Sequence, residues 1–387
     1  MDQSSEASGK TPRKRGHGEG TIGRRENGTW YARISLGDGA RKSIYGKTRG
    51  EVQAKLRAAQ RAREDGLNLS AKRQTVATYL DDWLENTARP SLRSSTHASY
   101  ESYVRIHIKP AIGRHQLSAL TPQHVQAFLN SRTAAGLSPS TVAKVRAVLR
   151  KALGQALKWG LVTRNAAALT DPPRVVTTPV QPLSLEQARR LMDATRDDRL
   201  GPLFTVAIAT GLRQGELFGL RWTDVDLERG VLRVSHAMQR VGGVMTFVEP
   251  KTARSRRTIN LPAIAIDTIR LERVRQNERR LFHGPDWQDW GLVFASTIGT
   301  PLNASNVIHH FHKVLERAGL PRQRFYDLRH CMASLLLAAG EHPRVVMEVM
   351  GHSQIALTMN TYSHVMPAAL EQAASRMDAL FGDAETA

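Results

Sequence analysis

The sequence predicts a multidomain, mainly α protein with small β-sheets. Three observations carry that expectation. At 387 residues the chain exceeds what one ordinary core serves, so two or three domains are expected. A stretch with four prolines, Asp171 to Pro182 (DPPRVVTTPVQP), reads as a semi-rigid boundary. Strand and turn signals gather in two short regions, while apolar residues elsewhere recur at helical spacing.

Residues 1–16 are polar and small, with Arg13, Lys14 and Arg15 clustered, and read as a disordered basic tail. Residues 17–66 form a small unit. Thr21–Arg24 is a first strand, Asn27-Gly28 a hairpin turn, and Thr29–Leu36 alternates as a second strand. Gly37-Asp38-Gly39 turns the chain into a third strand, Arg41–Tyr45. Thr48 then caps a helix, with Glu51 completing a capping box. Arg24, Arg25, Arg33, Arg41 and Lys42 recur on every strand, which suits a sheet face entering a DNA groove.

Residues 74–172 are helical throughout. Val76, Tyr79, Leu80, Trp83 and Leu84 lie at helix spacing, and Pro90 is expected to end that helix. Ser95–Ile106 belongs to a second helix, and Thr121-Pro122 opens a third. Ser138–Trp159 carries a stripe of Val142, Val145, Leu149, Leu153 and Ala156. Residues 173–183 are the linker. Residues 184–387 then make a mixed α+β domain. Ser184 starts a helix, and Leu203–Ala209 is a buried helical run. Gly230–His236 and Val244–Glu249 read as strands joined through Gly242-Gly243, and Arg257–Leu261 as another strand. Asp267–Leu281 and Asn303–Ala318 read as helices, and Leu370, Ala373, Met377, Leu380 and Phe381 form an apolar stripe on a terminal one.

A formal charge of +20 and a pI near 10.7 favour a polyanionic partner, nucleic acid first among them. No run of 18 apolar residues is present, so no membrane partner is expected, and the first twenty residues lack the apolar core of a secretory signal. The single cysteine, Cys331, excludes an internal disulfide framework and a Cys-based zinc cluster. Its apolar neighbours make it a buried thiol, and the whole pattern suits a reducing cytoplasm.

Four segments near the C-terminus hold polar residues set among apolar ones: ATGLRQGELFGLRWTDVD, EPKTARSRRTI, YDLRHCMASLLLAAG and VMGHSQIALTMNTYSHV. Arg213 and Glu216 are three apart, as on one helix turn, and Gly211 with its apolar approach suggests a guanidinium aimed inward. Lys251 opens a hairpin-like loop. Arg329, His352 and Tyr362 fall between apolar runs, a combination suited to holding a phosphate and offering it a phenol.

In order and spacing these four segments resemble the tyrosine recombinase (phage integrase) family across about 180 residues. Residues 74–172 resemble that family's core-binding domain, and residues 17–66 the arm-binding domain of integrases that use two classes of DNA site. The resemblance implies a site-specific DNA recombinase that integrates or excises a phage or mobile element. Tyr362 is then the nucleophile, forming a 3′-phosphotyrosine that conserves the bond energy. Arg213 and Arg329 clamp the phosphate, Lys251 protonates the leaving 5′-oxygen, and His352 hydrogen-bonds the phosphate. Glu216 positions Arg213. No cofactor and no metal are implied.

One position departs from the family pattern. Tyr326 stands where the family usually has histidine, three residues before the second arginine. A phenol donates a hydrogen bond but is a poor general base near neutral pH, so the acceptor of the Tyr362 proton stays unassigned. Tyr326 is expected to bind phosphate only, and His330 to be a packed structural histidine. The implied partners are double-stranded DNA at core and arm attachment sites and a homotetramer on that DNA. The two-site design makes a DNA-bending host factor and a directionality factor plausible partners, in the cytoplasm of a bacterial host and at its nucleoid. Two competing readings share parts of this pattern: a type IB topoisomerase-like relaxing enzyme, and a non-catalytic DNA-binding regulator.

Overall fold

Alternating side chains in residues 21–35 and 41–46 fold into a three-stranded antiparallel sheet in the computed structural model, which describes residues 21–35, 41–64, 66, 74–176, 181–249, 256–351 and 377. β1 (Thr21–Arg24), β2 (Trp30–Ser35) and β3 (Arg41–Gly46) pair in chain order. Gly28, at φ +83°, makes the first turn, where the Asn27 side chain also accepts from the Thr29 amide at 3.2 Å. One sheet face packs Ala32 and Ile34 against Val52 and Leu56 of α1 (Arg49–Glu64). The other face carries Tyr31, Arg33 and Tyr45, with Arg25 stacked 4.8 Å over the Tyr45 ring. At the start of α1 the Glu51 amide donates to Thr48 at 3.2 Å, but the Glu51 carboxylate reaches the amide of Lys47 (2.8 Å) rather than that of Thr48.

The helical region is built on a second core. α2 (Val76–Trp83) starts at Thr75, whose hydroxyl accepts from the Thr78 amide. The helical run ends at Ser91, one residue past Pro90, but not as a plain α-helix. A π-turn over Leu84–Ala88 widens the helix, and α3 (Arg89–Ser91) continues it with the proline in its first turn. The wide turn just before the ring accommodates a residue that has no N–H to donate and whose ring crowds the preceding turn. The same device recurs after α4 (Ser94–Tyr103): a π-turn over Val104–Ile108 leads into α5 (Lys109–Ile112), which holds Pro110. The second helical run therefore extends to Ile112. α6 (Pro122–Ala134) and α7 (Pro139–Lys158) complete the core, capped by Thr121 and Ser138. Trp83 and Tyr79 are fully buried in it, and the Tyr79 hydroxyl donates to the Ala152 carbonyl at 2.6 Å.

Contacts divide the chain into two compact units, residues 1–176 and 177–387. The second is organised around α9 (Gly201–Thr210), which is buried on nearly every side. α8 (Leu185–Ala194), capped by Ser184 and Gln187, α11 (Ala263–His283), α12 (Ala304–Arg317) and α13 (Asp327–Ala338) contribute to the same core. Phe204, Phe311 and Phe325 pack ring to ring at 5.3–6.1 Å within it. β4 (Val225–Asp226), β5 (Val231–Val234) and β8 (Arg257–Asn260) form one antiparallel sheet, with β5 in the centre.

The strand expected over Gly230–His236 does not pair with Val244–Glu249. The chain bends at Ser235 and His236 into a separate strand, β6 (Ala237–Val241), and it is β6 that turns through Gly242-Gly243 into β7 (Val244–Val248). Polar anchors hold the bend: Ser235 donates to Asp224, and Arg221 meets His236 at 2.8 Å. Both turn glycines have positive φ, as a two-residue hairpin with the strands' twist requires.

Candidate active site

The site starts from the end of α9. Gly211 terminates that helix in the left-handed region, at φ +60°. A Cβ at this position would lie 2.1 Å from the Met332 side chain of α13, so the missing side chain is what lets α13 cross here. Two residues on, Arg213 occupies the cap position of α10 (Gln214–Phe218) with an extended backbone, not a turn of helix as its spacing from Glu216 suggests. Glu216, in the first turn of α10, reaches back. Its carboxylate accepts from the Arg213 amide at 3.0 Å and from the Arg213 guanidinium at 2.7 Å. Arg213 is thereby aimed at the end of α14 (Pro343–Met350), where its Nη2 donates to the Gly351 carbonyl at 3.0 Å.

Arg329, in the first turn of α13, is 1% exposed, among the largest side chains so fully buried. Its guanidinium donates to the Gly211 carbonyl and to the Met350 carbonyl. Both are helix-end carbonyls, which intrahelical bonding leaves without a donor. Among the described residues its Nε has no hydrogen-bond partner. Burial, then the neighbouring Arg213 charge, lower its pKa to about 10, so the group stays cationic at neutral pH.

A third arginine completes the cluster. Arg257, the first residue of β8, is almost fully buried and bonds both oxygens of Glu216, at 3.0 and 3.3 Å. Its Nε donates to the Val349 carbonyl at 2.7 Å. Burial pushes the Glu216 carboxyl up, but the charge and hydrogen bonds of Arg257 and the bonds from Arg213 outweigh it and hold the group below the usual carboxylate range. Sequence reasoning missed Arg257 as a site residue. The available signal was strand alternation, which places Arg257 on the same face as buried Ile259.

Two guanidiniums, those of Arg213 and Arg257, therefore bond a single carboxylate, and all three arginines donate to the carboxyl end of one helix. Such an excess of buried positive charge favours an anion, and arginine's planar fork matches phosphate oxygens. Tyr326 precedes α13 and is 42% exposed, its ring set edge-on to His330 at 5.4 Å. Burial lowers the His330 pKa, which keeps that ring neutral near pH 7. Lys251, His352 and Tyr362 lie outside the described residues, as does the terminal apolar stripe apart from Met377. A cavity of about 450 Å³ elsewhere in this unit, lined by Asp198, Arg199, Ser296, Thr300 and His310, shares no residue with the arginine cluster.

Comparisons with known proteins agree with this picture. The model of the phage integrase family matches residues 181–368, and that of the phage integrase N-terminal SAM-like domain matches residues 75–132. A tyrosine recombinase XerC-like protein of Caldanaerobacter subterraneus subsp. tengcongensis is 31% identical over 384 residues, covering 93% of this chain and 95% of that protein. The chain is a member of the phage integrase family. This integrase is also 30% identical over 374 residues to an integrase of Streptomyces ambofaciens, covering 91% and 93% of the two chains.

Solved structures show the same fold. The Tn1549 transposon integrase in complex with a circular intermediate DNA matches with a TM-score of 0.67 at 21% identity, over 79% of this integrase and 99% of that chain. A lambda integrase dimer bound to a core site matches at 0.57 and 19% identity, over 88% and 94% of the respective chains. Family membership makes this integrase a site-specific DNA recombinase that acts on DNA. The topoisomerase-like and non-catalytic readings are not favoured. Among the described residues, no helix is long and apolar enough to cross a membrane.

Proposed function

We propose that this integrase cuts and rejoins DNA through Tyr362, with Arg213 and Arg329 holding the scissile phosphate. The observation that carries the proposal is Arg329: fully buried, held only by backbone carbonyls among the described residues, with its Nε lacking a partner. A cation placed there at the cost of its desolvation finds its natural counter-charge in a phosphate. The phenol oxygen of Tyr362 attacks phosphorus, the 5′-oxygen leaves with a proton from Lys251, and a 3′-phosphotyrosine results. His352 and Tyr326 add hydrogen bonds to the phosphate. Attack on the phosphotyrosine by the 5′-hydroxyl of a partner strand reverses the step and exchanges strands. Glu216 sets the direction of Arg213.

In this reading residues 74–172 and 184–387 grip the core site, joined by the linker of residues 173–183. Residues 17–66 take arm sites through the sheet face of Tyr31, Arg33 and Tyr45, and residues 1–16 add a basic tail. Four copies assemble on DNA to integrate or excise a phage or mobile element in a bacterial cytoplasm. The solved lambda integrase tetramer bound to a Holliday junction supports that stoichiometry. A DNA-bending host factor and a directionality factor fit the two-site design.

A duplex nicked beside the core-site cleavage point tests the reading, because the short product diffuses away and traps the covalent adduct. The expected result is a protein–DNA adduct that Tyr362→Phe abolishes, together with recombination between two intact sites. An adduct that persists in Tyr362→Phe overturns the assignment of the nucleophile.

A further inference from the structure

Arg257 belongs to none of the roles above, yet the structure invests heavily in it. It is 7% exposed on its side chain, and its partner Glu216 is 5% exposed. Burying an ion pair this deeply is not an efficient route to stability, since the desolvation of both groups offsets most of their attraction. Geometry gives the pair another use. Three consecutive carbonyls at the end of α14 each accept from a different arginine: Val349 from Arg257, Met350 from Arg329 and Gly351 from Arg213. The carboxyl end of a helix carries partial negative charge, so this end is held electrostatically as well as by hydrogen bonds. Gly351 is tailored to the contact. Its φ is +63°, and a Cβ there would sit 3.1 Å from the Arg257 side chain.

We infer that Arg257 is a positioning residue for strand cleavage: through Glu216 it fixes the direction of Arg213, and through Val349 it fixes the helix end that leads into His352. Glu216 alone could swing with Arg213, because both sit at the start of α10. Arg257 comes from a different element, β8, and its bidentate grip removes that freedom. Lys251 lies six positions before Arg257 in the chain. One guanidinium thus ties the segment that bears Arg213 to the helix end that precedes His352. Lysine cannot replace it, because a single ammonium has no fork to serve both Glu216 oxygens and the Val349 carbonyl together.

The inference rests on the reading of Arg213 as a phosphate ligand, and its test separates the two. Arg257→Lys and Arg213→Lys are compared with the wild type in single-turnover cleavage of the nicked core-site duplex, with rates taken on the DNA-bound fraction. Each is also run on a duplex whose scissile phosphate is an uncharged methylphosphonate. For Arg257→Lys, core-site affinity is expected to stay within about threefold and cleavage to fall about 10²-fold, the cost of a misplacement near 1 Å. On the methylphosphonate, where no charge remains for Arg213 to neutralise, the deficit of both variants is expected to shrink to about tenfold or less. Guanidinium ion added to Arg257→Ala is expected to restore part of the cleavage of the natural phosphate. An unchanged rate in Arg257→Lys, or an equal deficit on both duplexes, overturns the inference and leaves Arg257 a fold-stabilising residue. An unchanged rate in Arg213→Lys overturns the phosphate clamp itself.

Discussion

Glu216 is the point at which the cluster's charge balance can be broken with one isosteric change. Its oxygens accept four hydrogen bonds from two arginines: each takes one from Arg213 and one from Arg257. In Glu216→Gln one oxygen becomes an NH₂ group. Whichever way the amide lies, two of the four contacts become donor against donor. The change also leaves the nearly buried Arg257 without its carboxylate. Removing one partner of a buried pair costs about 3–5 kcal/mol. For a unit of this size, roughly 2–4 °C is lost per kcal/mol, so the melting transition of residues 177–387 is expected to fall by about 6–20 °C. Cleavage of the nicked duplex, measured well below that transition, is expected to fall about 10²-fold as Arg213 loses its aim. Acidity provides an internal control. The Glu216 carboxyl is held below its ordinary value of 4.5, so its contribution is complete above that pH and is lost as pH falls through the depressed folded value. The stability gap between wild type and Glu216→Gln therefore closes on acidification. A melting shift under 2 °C with near-normal cleavage refutes this account of the cluster.

Other perturbations reach neighbouring parts of the same unit. Arg329→Lys retains a charge but cannot bridge the Gly211 and Met350 carbonyls, and a cleavage loss of roughly 10²–10³-fold is expected in single-turnover assays, with DNA binding retained. Tyr326→Phe is expected to keep most activity, because an exposed phenol that only binds phosphate is replaceable; inactivity equal to that of Tyr362→Phe would show that it carries a proton. Gly211→Ala places a methyl group in left-handed backbone against Met332, and denaturant unfolding is expected to show a loss of well over about 1 kcal/mol. Cys331 is fully buried, and burial pushes its thiol up to about 12, so a disulfide-exchange reagent at pH 8 is expected to leave it unmodified until the protein is unfolded.

What the sequence revealed followed the physics of each signal. Helix starts were legible because side chain and amide are neighbours: Thr121, Ser138 and Ser184, where the sequence opens helices, each accept from a first-turn amide. The three-stranded sheet was legible because alternation and the Asn27-Gly28 turn point the same way. Failures arose where a distant contact overrode a local rule. Nothing in the sequence marked the π-turns before Pro90 and Pro110, which widen each helix over an intact core. The β5–β6 bend depends on Asp224 and Arg221, more than ten residues upstream, and no local pattern announces it.

The arginine cluster shows the same division at the level of chemistry. Arg213 and Arg329 could be selected because each sits beside an apolar run that makes a charged side chain conspicuous. Arg257 lies in RSRRT, where any one arginine looks like a solvated loop charge. Only the phase of β8 distinguishes it: Arg257 and Ile259 face inward while Thr258 and Asn260 face out. That phase is set by pairing with β5, where Val234 opposes Arg257 and Leu232 opposes Ile259. A one-residue slip in this register would turn Arg257 to solvent and bring Thr258 inward. Glu216 would then lose one of its two arginines, and Val349 its donor. The aim of the phosphate clamp thus depends on the register of a two-strand contact that holds no reacting group, which is why residues with no part in the chemistry, Leu232 and Val234, are as necessary to the geometry of this site as the arginines themselves.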